Sequence, residues 1–344
     1  MAMPRTHFEQ SAATALSTPE LYFCPNGNAA QIIGRKDFSA EKRAKIRALH
    51  TLNPRWNFVI LLHFALWLAA ACLATSTSIL LLELACYLIA GLALGTFSVL
   101  AHESAHRLLT RNTVLDRLLG FGCGLPILFS ASAYRVVHPI HHAKLRTPED
   151  PDDFETTATR FKLLPLVYIL TTLCGVYVYL FYMPVQGFRR GSRKQRVAIL
   201  LECVLLLAAH VAAWIIFPGR VMLEAWLLPL LVAGQIANLR AIAEHGLTTS
   251  GNELIDSRTV TTHPALSFFM CNINYHLEHH LYPGVPWYNL PKLHLLLQED
   301  YHKAGASVYS SYAAFVWDTI KALRAGVVSG TRLIPKHLRE EVCL

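Results

Sequence analysis

Charge is what this sequence has least of. Only 16% of its 344 residues are Asp, Glu, Lys or Arg, while 53% are hydrophobic. A soluble domain carries about a quarter charged residues, so polar cover is short. Paired cysteines are missing too. The eight cysteines (Cys24, Cys72, Cys86, Cys123, Cys174, Cys203, Cys271 and Cys343) include no C-x-x-C, which indicates neither a disulfide framework nor a cysteine metal site. Four of them, Cys72, Cys86, Cys174 and Cys203, lie inside apolar runs, where a reduced cysteine acts as a small hydrophobe. Met1 to Gln10 lacks the apolar core of a secretory signal. The mean hydropathy of +0.34 excludes a disordered chain. Because the apolar residues are bunched into long runs, the excess reads as membrane spans rather than as two soluble domains.

The expected architecture is an all-α membrane protein with four transmembrane helices in two hairpins and a cytoplasmic helical cap. Spans are predicted over about 58–74 and 79–101, joined by Thr75-Ser76-Thr77-Ser78, and over about 197–217 and 221–243, joined by Pro218-Gly219-Arg220. Residues 1–56 form a polar N-terminal segment, 57–297 the membrane body and 298–344 a C-terminal tail, with helices expected at Leu290 to Gln298 and Ser310 to Ala325. Lys and Arg number eight before the first run, thirteen between residues 102 and 196, and nine from 240 onward. The two short breaks hold none and one. The positive-inside bias therefore places both termini and the central loop in the cytoplasm. A single crossing by 163–183 would put the basic cluster Arg189 to Arg196 outside, so this segment is read as interfacial or re-entrant. The Gly/Pro-punctuated stretch 118–133 is read as interfacial as well. Glu83, Glu202, Glu224, Gln235, Asn238 and Arg240 fall in or near the spans. Such residues are functional candidates by default, but helix packing or an interfacial place accounts for most of them. The net charge of +8 then fits anionic membrane lipid, not nucleic acid.

Histidine is the surplus. Of 17, nine gather as His102/His106, His138/His141/His142, His276/His279/His280 and the single His245. Positions i, i+3 and i+4 share a helix face, so each group offers two or three imidazoles to one side, all near the cytoplasmic ends of spans. The other eight have no assigned task. His102-Glu103-Ser104-Ala105-His106 also matches H-E-x-x-H, the zinc protease motif with Glu as base. That chemistry needs two histidines and one more ligand and would leave most of the clustered imidazoles idle. Eight or nine nitrogens suit two ions that accept six ligands, and imidazole suits iron. A di-iron, oxygen-activating site is the better reading; the protease remains a distant alternative.

These boxes, in this order around four spans, resemble the integral-membrane fatty acid desaturase and hydroxylase superfamily. The neighbouring text, AHESAHRLLTRN at 101–112, YRVVHPIHHAKLRTPED at 134–150 and NYHLEHHLYPGVP at 274–286, is similar to that of its acyl-lipid desaturases. The resemblance implies two iron ions held by His102, His106, His138, His141, His142, His276, His279 and His280, with His245 as a ninth ligand. It also implies O2 as co-substrate and an acyl lipid or acyl thioester that gains a double bond. Some members place an Asn four residues before the ninth ligand; here that position is Ala241, with Asn238 one turn further back. No His-Pro-Gly-Gly haem motif or cysteine cluster is present, so a separate ferredoxin or cytochrome b5 is expected to deliver two electrons. A lipid, alkane or carotenoid hydroxylase or ketolase would share the whole site. Glu103, Glu244 and Glu278 each adjoin an expected ligand, either orienting its imidazole or standing as solvated carboxylates. Asp150, Asp152 and Asp153, in a turn bounded by Pro148 and Pro151, either orient the ligands of the second box or cap the next segment, and the cap is the favoured reading. The rigid stretch Tyr282 to Tyr288 is read as holding the third box in place.

Overall fold

The structure is a computed structural model that describes residues 34–155, 164–249, 252–327 and 332–333. Cys24, Cys343, His7, His337 and most of the N-terminal polar segment lie outside these residues. Helix α1 (Ala40–Leu49) precedes a hairpin of α2 (Phe58–Ser76) and α3 (Leu80–Ala105). At 1.5 Å per residue the 26 residues of α3 reach about 39 Å. That is long enough for a hydrocarbon core of about 30 Å, and His102 stands three residues before the end of the helix.

α4 (Thr113–Gly124) and α5 (Ala131–Lys144) follow. The stretch expected as one interfacial helix over 118–133 is instead two helices bent by 103°. Pro126 and Leu128, the latter at φ 56°, break the run, and Ser130 caps α5 by accepting from the Ala133 N–H. α6 (Leu164–Arg190), α7 (Arg193–Ile216) and α8 come next. The α8 span is Gly219–His245, with a π-turn at Leu223–Leu227.

Among the described residues, five helices have the length and apolar character to cross a membrane: those at the four expected spans, and α6. A 27-residue continuous α6 is longer than the segment expected at 163–183, because the ladder runs on through Pro184 to Arg190.

In lipid every backbone polar group needs an internal partner, and two contacts show how this is met. Pro229 has no N–H for the Ala225 carbonyl four residues back; the Trp67 indole of α2 donates to it at 2.7 Å. The Asn238 side-chain amide of α8 accepts from the Val176 N–H at 2.6 Å and donates to the Thr172 carbonyl at 3.0 Å. These two α6 groups are the ones that normally pair with each other along a helix. Asn238 is therefore a packing residue, and Glu202 serves similarly by accepting from the Ser132 N–H at the start of α5. α3 and α8 cross closely at Gly91, where an added Cβ would stand 2.7 Å from Val232 Cβ.

The described residues after α8 pack at the end of the bundle where α3 and α8 finish. It holds β1 (Thr259–Val260), α9 (Pro264–Phe269), α10 (His276–Leu281), α11 (Leu290–Ala304), β2 (Val308–Tyr309) and α12 (Tyr312–Arg324). β1 and β2 pair in parallel, Thr259 opposite Val308. Leu277 and Leu281 of α10 pack with Leu290, Leu293 and Leu297 of α11 in one buried cluster. This turns the histidine face of α10 the other way. α11 runs without interruption through position 297, where the C-terminal tail was expected to begin.

Candidate metal centre

All nine histidines singled out in the sequence meet, and they do so as two groups. His102, His106, His138, His142 and His279 bring one ring nitrogen each within 4.8 Å of one another. His141, His245 and His280 form a second such group. His276 joins it, with its Nε2 2.9 Å from His245 Nε2 and 3.0 Å from His280 Nε2. The five-membered group draws on α3, α5 and α10, and the four-membered group on α5, α8 and α10. The H-x-x-H-H of α5 divides between them: His138 and His142, one turn apart, face the first, and His141 faces the second.

The spacing of the nitrogens tests whether metals fit. His138 Nε2 lies 2.9 Å from both His106 Nε2 and His142 Nε2, and His142 Nε2 lies 3.1 Å from His279 Nε2. An imidazole nitrogen offers one in-plane proton or one lone pair, so one atom cannot pair with two neighbours at once. Ligands at right angles on an ion with bonds of about 2.1 Å sit about 3.0 Å apart, which is the spacing found. Both groups fit a cation at the centre. Burial pushes His276, His279 and His280 well below the ordinary histidine range. The neutral imidazole this favours is the form that binds metal.

The carboxylates around the rings differ from expectation. Asp150 does not cap the next segment alone: it accepts from His141 Nδ1 at 3.0 and 3.1 Å, using both oxygens. Asp152 instead accepts from the Tyr179 hydroxyl, and Asp153 pairs with Arg146. Glu103 Oε1 approaches His102 Nδ1 at 3.6 Å while its Oε2 accepts from the Trp287 N–H at 3.1 Å. The Tyr282–Tyr288 stretch is thereby tied to the first box. Glu244 Oε1 approaches His276 Nδ1 at 3.4 Å and is held by Arg240 at 2.8 Å. Glu278 faces away from the rings; it accepts from His294 Nδ1 and the Thr259 hydroxyl, both at 2.5 Å.

His294 had been left without a task, and nothing in its spacing points to Glu278. Asp150 was legible in principle, since it follows His141 by nine residues inside a proline-bounded turn. Two further groups went unread. Arg258, fully buried, donates to the carbonyls of Ala243, Gly246 and Leu247. A cation at a helix C-terminus is stabilising, and here it fixes the turn that presents His245. Glu155 accepts from the Leu247 N–H at 2.7 Å and pairs with Arg146, bracing the same turn from the other side.

A cavity of about 620 Å³ opens from this centre into the membrane half of the molecule. Leu94 and Ser98 of α3, Leu230 and Ala233 of α8, and the middle of α6 line it, and it reaches His102 and His138. Its walls are mostly apolar, the character expected of a small-molecule site with a few convergent polar groups.

The fold and site define a class: an all-helical integral membrane protein with two histidine groups suited to a pair of metal ions. Residues 77–312 match the fatty acid desaturase family, and the chain belongs to that family. It is 24% identical over 256 residues to the chloroplastic omega-6 fatty acid desaturase of Arabidopsis thaliana, covering 68% of this chain and 56% of that one. The chain thus spans little more than half the length of this plant relative. It is 24% identical over 308 residues to the sn-1 oleoyl-lipid 12-desaturase of a Picosynechococcus strain, covering 80% of this chain and 85% of that protein. Dihydrorhizobitoxine desaturase of Bradyrhizobium elkanii is 28% identical over 304 residues, 78% of this chain and 83% of that protein.

Proposed function

We propose that this chain is a fatty acid desaturase that introduces a double bond into an acyl chain, using O2 and two electrons from a separate donor. The carrying observation is the convergence of nine imidazoles, five and four, at the head of a largely apolar cavity. Two irons are the ions this reading places there, on His102, His106, His138, His142 and His279 and on His141, His245, His276 and His280. When bound, they supply the oxygen activation needed to remove hydrogen from an unactivated methylene. The chain's own residues do the rest. The cavity walls hold the acyl chain extended and shield it from water, so the carbon nearest the histidines is chosen by depth, a positioning effect. Asp150, and at longer range Glu103 and Glu244, hold ring protons on the Nδ1 atoms and leave Nε2 free for metal. The names of the relatives point to acyl lipids as the substrate class.

Four crossings, with the histidines and both termini in the cytoplasm, agree with the contacts of α6. Gly246, at the site end of α8, abuts Tyr168 near the start of α6. The other end of α6 passes through Gly191 and Ser192 into α7. α7 and α8 form a hairpin, so the start of α7 and the end of α8 share a side. On this reading both ends of α6 lie on the site side and the helix does not cross alone, although its middle reaches down α8, where Tyr177 meets Gly234 and Leu231. The basic face there suits an acidic electron carrier, of ferredoxin or cytochrome b5 type.

The test is expression with a reductase and donor, metal analysis, and mass profiling of host lipids beside a His279→Ala variant. Products lighter by two hydrogens and two irons per chain are expected. Gain of one oxygen would assign hydroxylation, and a single zinc without iron would overturn the reading.

A further inference from the structure

A second pocket, of about 300 Å³, lies outside the first and second boxes and apart from the acyl cavity. Arg107, Arg117 and Arg135 line it, with Asp116, Thr113 and Gln195. We propose that this pocket binds the phosphate of an anionic phospholipid headgroup.

Its charge is the first argument. Three guanidinium groups face one carboxylate: Asp116 Oδ1 accepts from the Leu109 and Thr110 N–H groups, while its Oδ2 makes no hydrogen bond and lies 3.9 Å from Arg135. Arg135 is anchored by donating to the Ser104 hydroxyl at 2.9 Å and to the Asp116 carbonyl at 3.2 Å. Burial pulls Arg135 below the ordinary guanidinium range; the Asp116 and Glu202 carboxylates oppose this, and the positive charges of Arg117 and Arg107 add to it more weakly. An anion here would offset the cost of burying the Arg135 charge and the weaker repulsion from Arg117 and Arg107.

The backbone at Arg107 is the second argument. Arg107 N–H bonds the Ser104 carbonyl and Leu108 N–H the Glu103 carbonyl, which closes α3 in a Schellman turn. Arg107 occupies the left-handed position of that turn, at φ 62°, where glycine carries no Cβ penalty. An arginine in this place strains the turn, which its charge at the helix C-terminus offsets in part; it also adds a third guanidinium to the pocket lining.

Membrane depth is the third, and it selects the occupant. α4 begins at the pocket, and its outer face carries Val114, Leu115 and Leu118, 66%, 46% and 61% exposed. With Arg117 beside them, this is the pattern of a helix lying in the interface, its apolar side among acyl chains and its cations at phosphate level. A lipid phosphate reaches such a pocket from the side, with its acyl tails lying against α4.

The test uses the metal-loaded protein in detergent, titrated with dihexanoyl-phosphatidylglycerol, dihexanoyl-phosphatidylcholine or inorganic phosphate, and read by thermal shift and native mass spectrometry. Two variants are compared with wild type: Arg107→Gly, which removes the left-handed strain along with the charge, and Arg117→Gln. Arg107→Gly should melt no lower than wild type without lipid, so lost binding cannot be lost folding. Both variants should bind phosphatidylglycerol about tenfold more weakly, the effect of one charged hydrogen bond. Phosphatidylcholine and inorganic phosphate should bind wild type less tightly than phosphatidylglycerol. Unchanged phosphatidylglycerol affinity in both variants would overturn the site. Inorganic phosphate binding as tightly as the lipid, or equal binding of the two lipids, would overturn the assignment to an anionic headgroup.

Discussion

Replacing Asp150 by Asn probes the metal centre where its two halves differ. The Asp150 carboxylate accepts from His141 Nδ1 through both oxygens and from the Asp152 N–H at 2.9 Å. An amide keeps the shape but turns an NH2 toward one of these donors. The His141 ring loses its anionic partner and becomes a poorer ligand. Loss of such an outer partner typically costs 10–100-fold in metal affinity, or about 1.4–2.7 kcal/mol. Of the two histidine groups His141 belongs to the four-membered one, although it also lies near His138 and Asp152, so the loss should fall mainly on one ion of the two. Metal per chain, measured by plasma emission after equilibration against graded chelator, should drop from two toward one at 10–100-fold less chelator than wild type requires. The five-histidine ion should leave where it does in wild type. If both ions leave together at the wild-type chelator concentration, Asp150 does not support His141 in the way its geometry implies.

Three other outcomes follow from single contacts. Trp67→Phe strands the Ala225 carbonyl in hydrocarbon and should cost about 1–3 kcal/mol in detergent unfolding, and Pro229→Ala, by restoring an N–H, should recover most of it. Gly95 lines the acyl cavity, and an added Cβ there meets nothing within 4 Å; Gly95→Leu should therefore fold normally but lose conversion of long acyl chains in lipid profiling before that of shorter ones. Burial, reinforced by Glu253, raises Asp256 to about 7. Above about pH 4 the unfolded chain has lost this proton while the folded chain keeps it until about 7, so stability falls as pH rises through that window. Asp256→Asn should flatten the fall in Tm between those limits; an unchanged slope would show that another group governs it.

Much of this was legible because lipid and metal both impose simple rules on sequence. Apolar runs locate α2, α3, α7 and α8 within a few residues, and imidazoles at i, i+3 and i+4 mark the histidines that converge. What was hidden involves contacts between distant segments. The division of His138 and His142 from His141 depends on which face of α5 meets α3 and which meets α8. Asp150 was misread because a carboxylate in a turn has a local use, as a cap, that competes with its tertiary one. His294 and Arg258 carry no local pattern at all: one serves Glu278 from sixteen residues away, and the other caps a helix that ended thirteen residues before it. The two-helix bend at 118–133 was missed because the Gly and Pro residues that mark the break were taken as signs of an interfacial stretch instead.

The division of ligands also sets a timetable for synthesis. Both histidine groups draw on α10, so neither ion's shell can close until the third box has been made. His279 follows His142 by 137 positions, which at about 5–20 residues per second occupy a ribosome for about 7–27 s. For that interval four imidazoles of one group stand near each other without the fifth, and His141 waits without its partners. A nascent chain in this condition is an open chelator for whatever divalent ion is abundant. Correct metallation therefore favours ions delivered after the last ligand folds in, and overexpression in zinc-rich medium should yield chains filled in the wrong order.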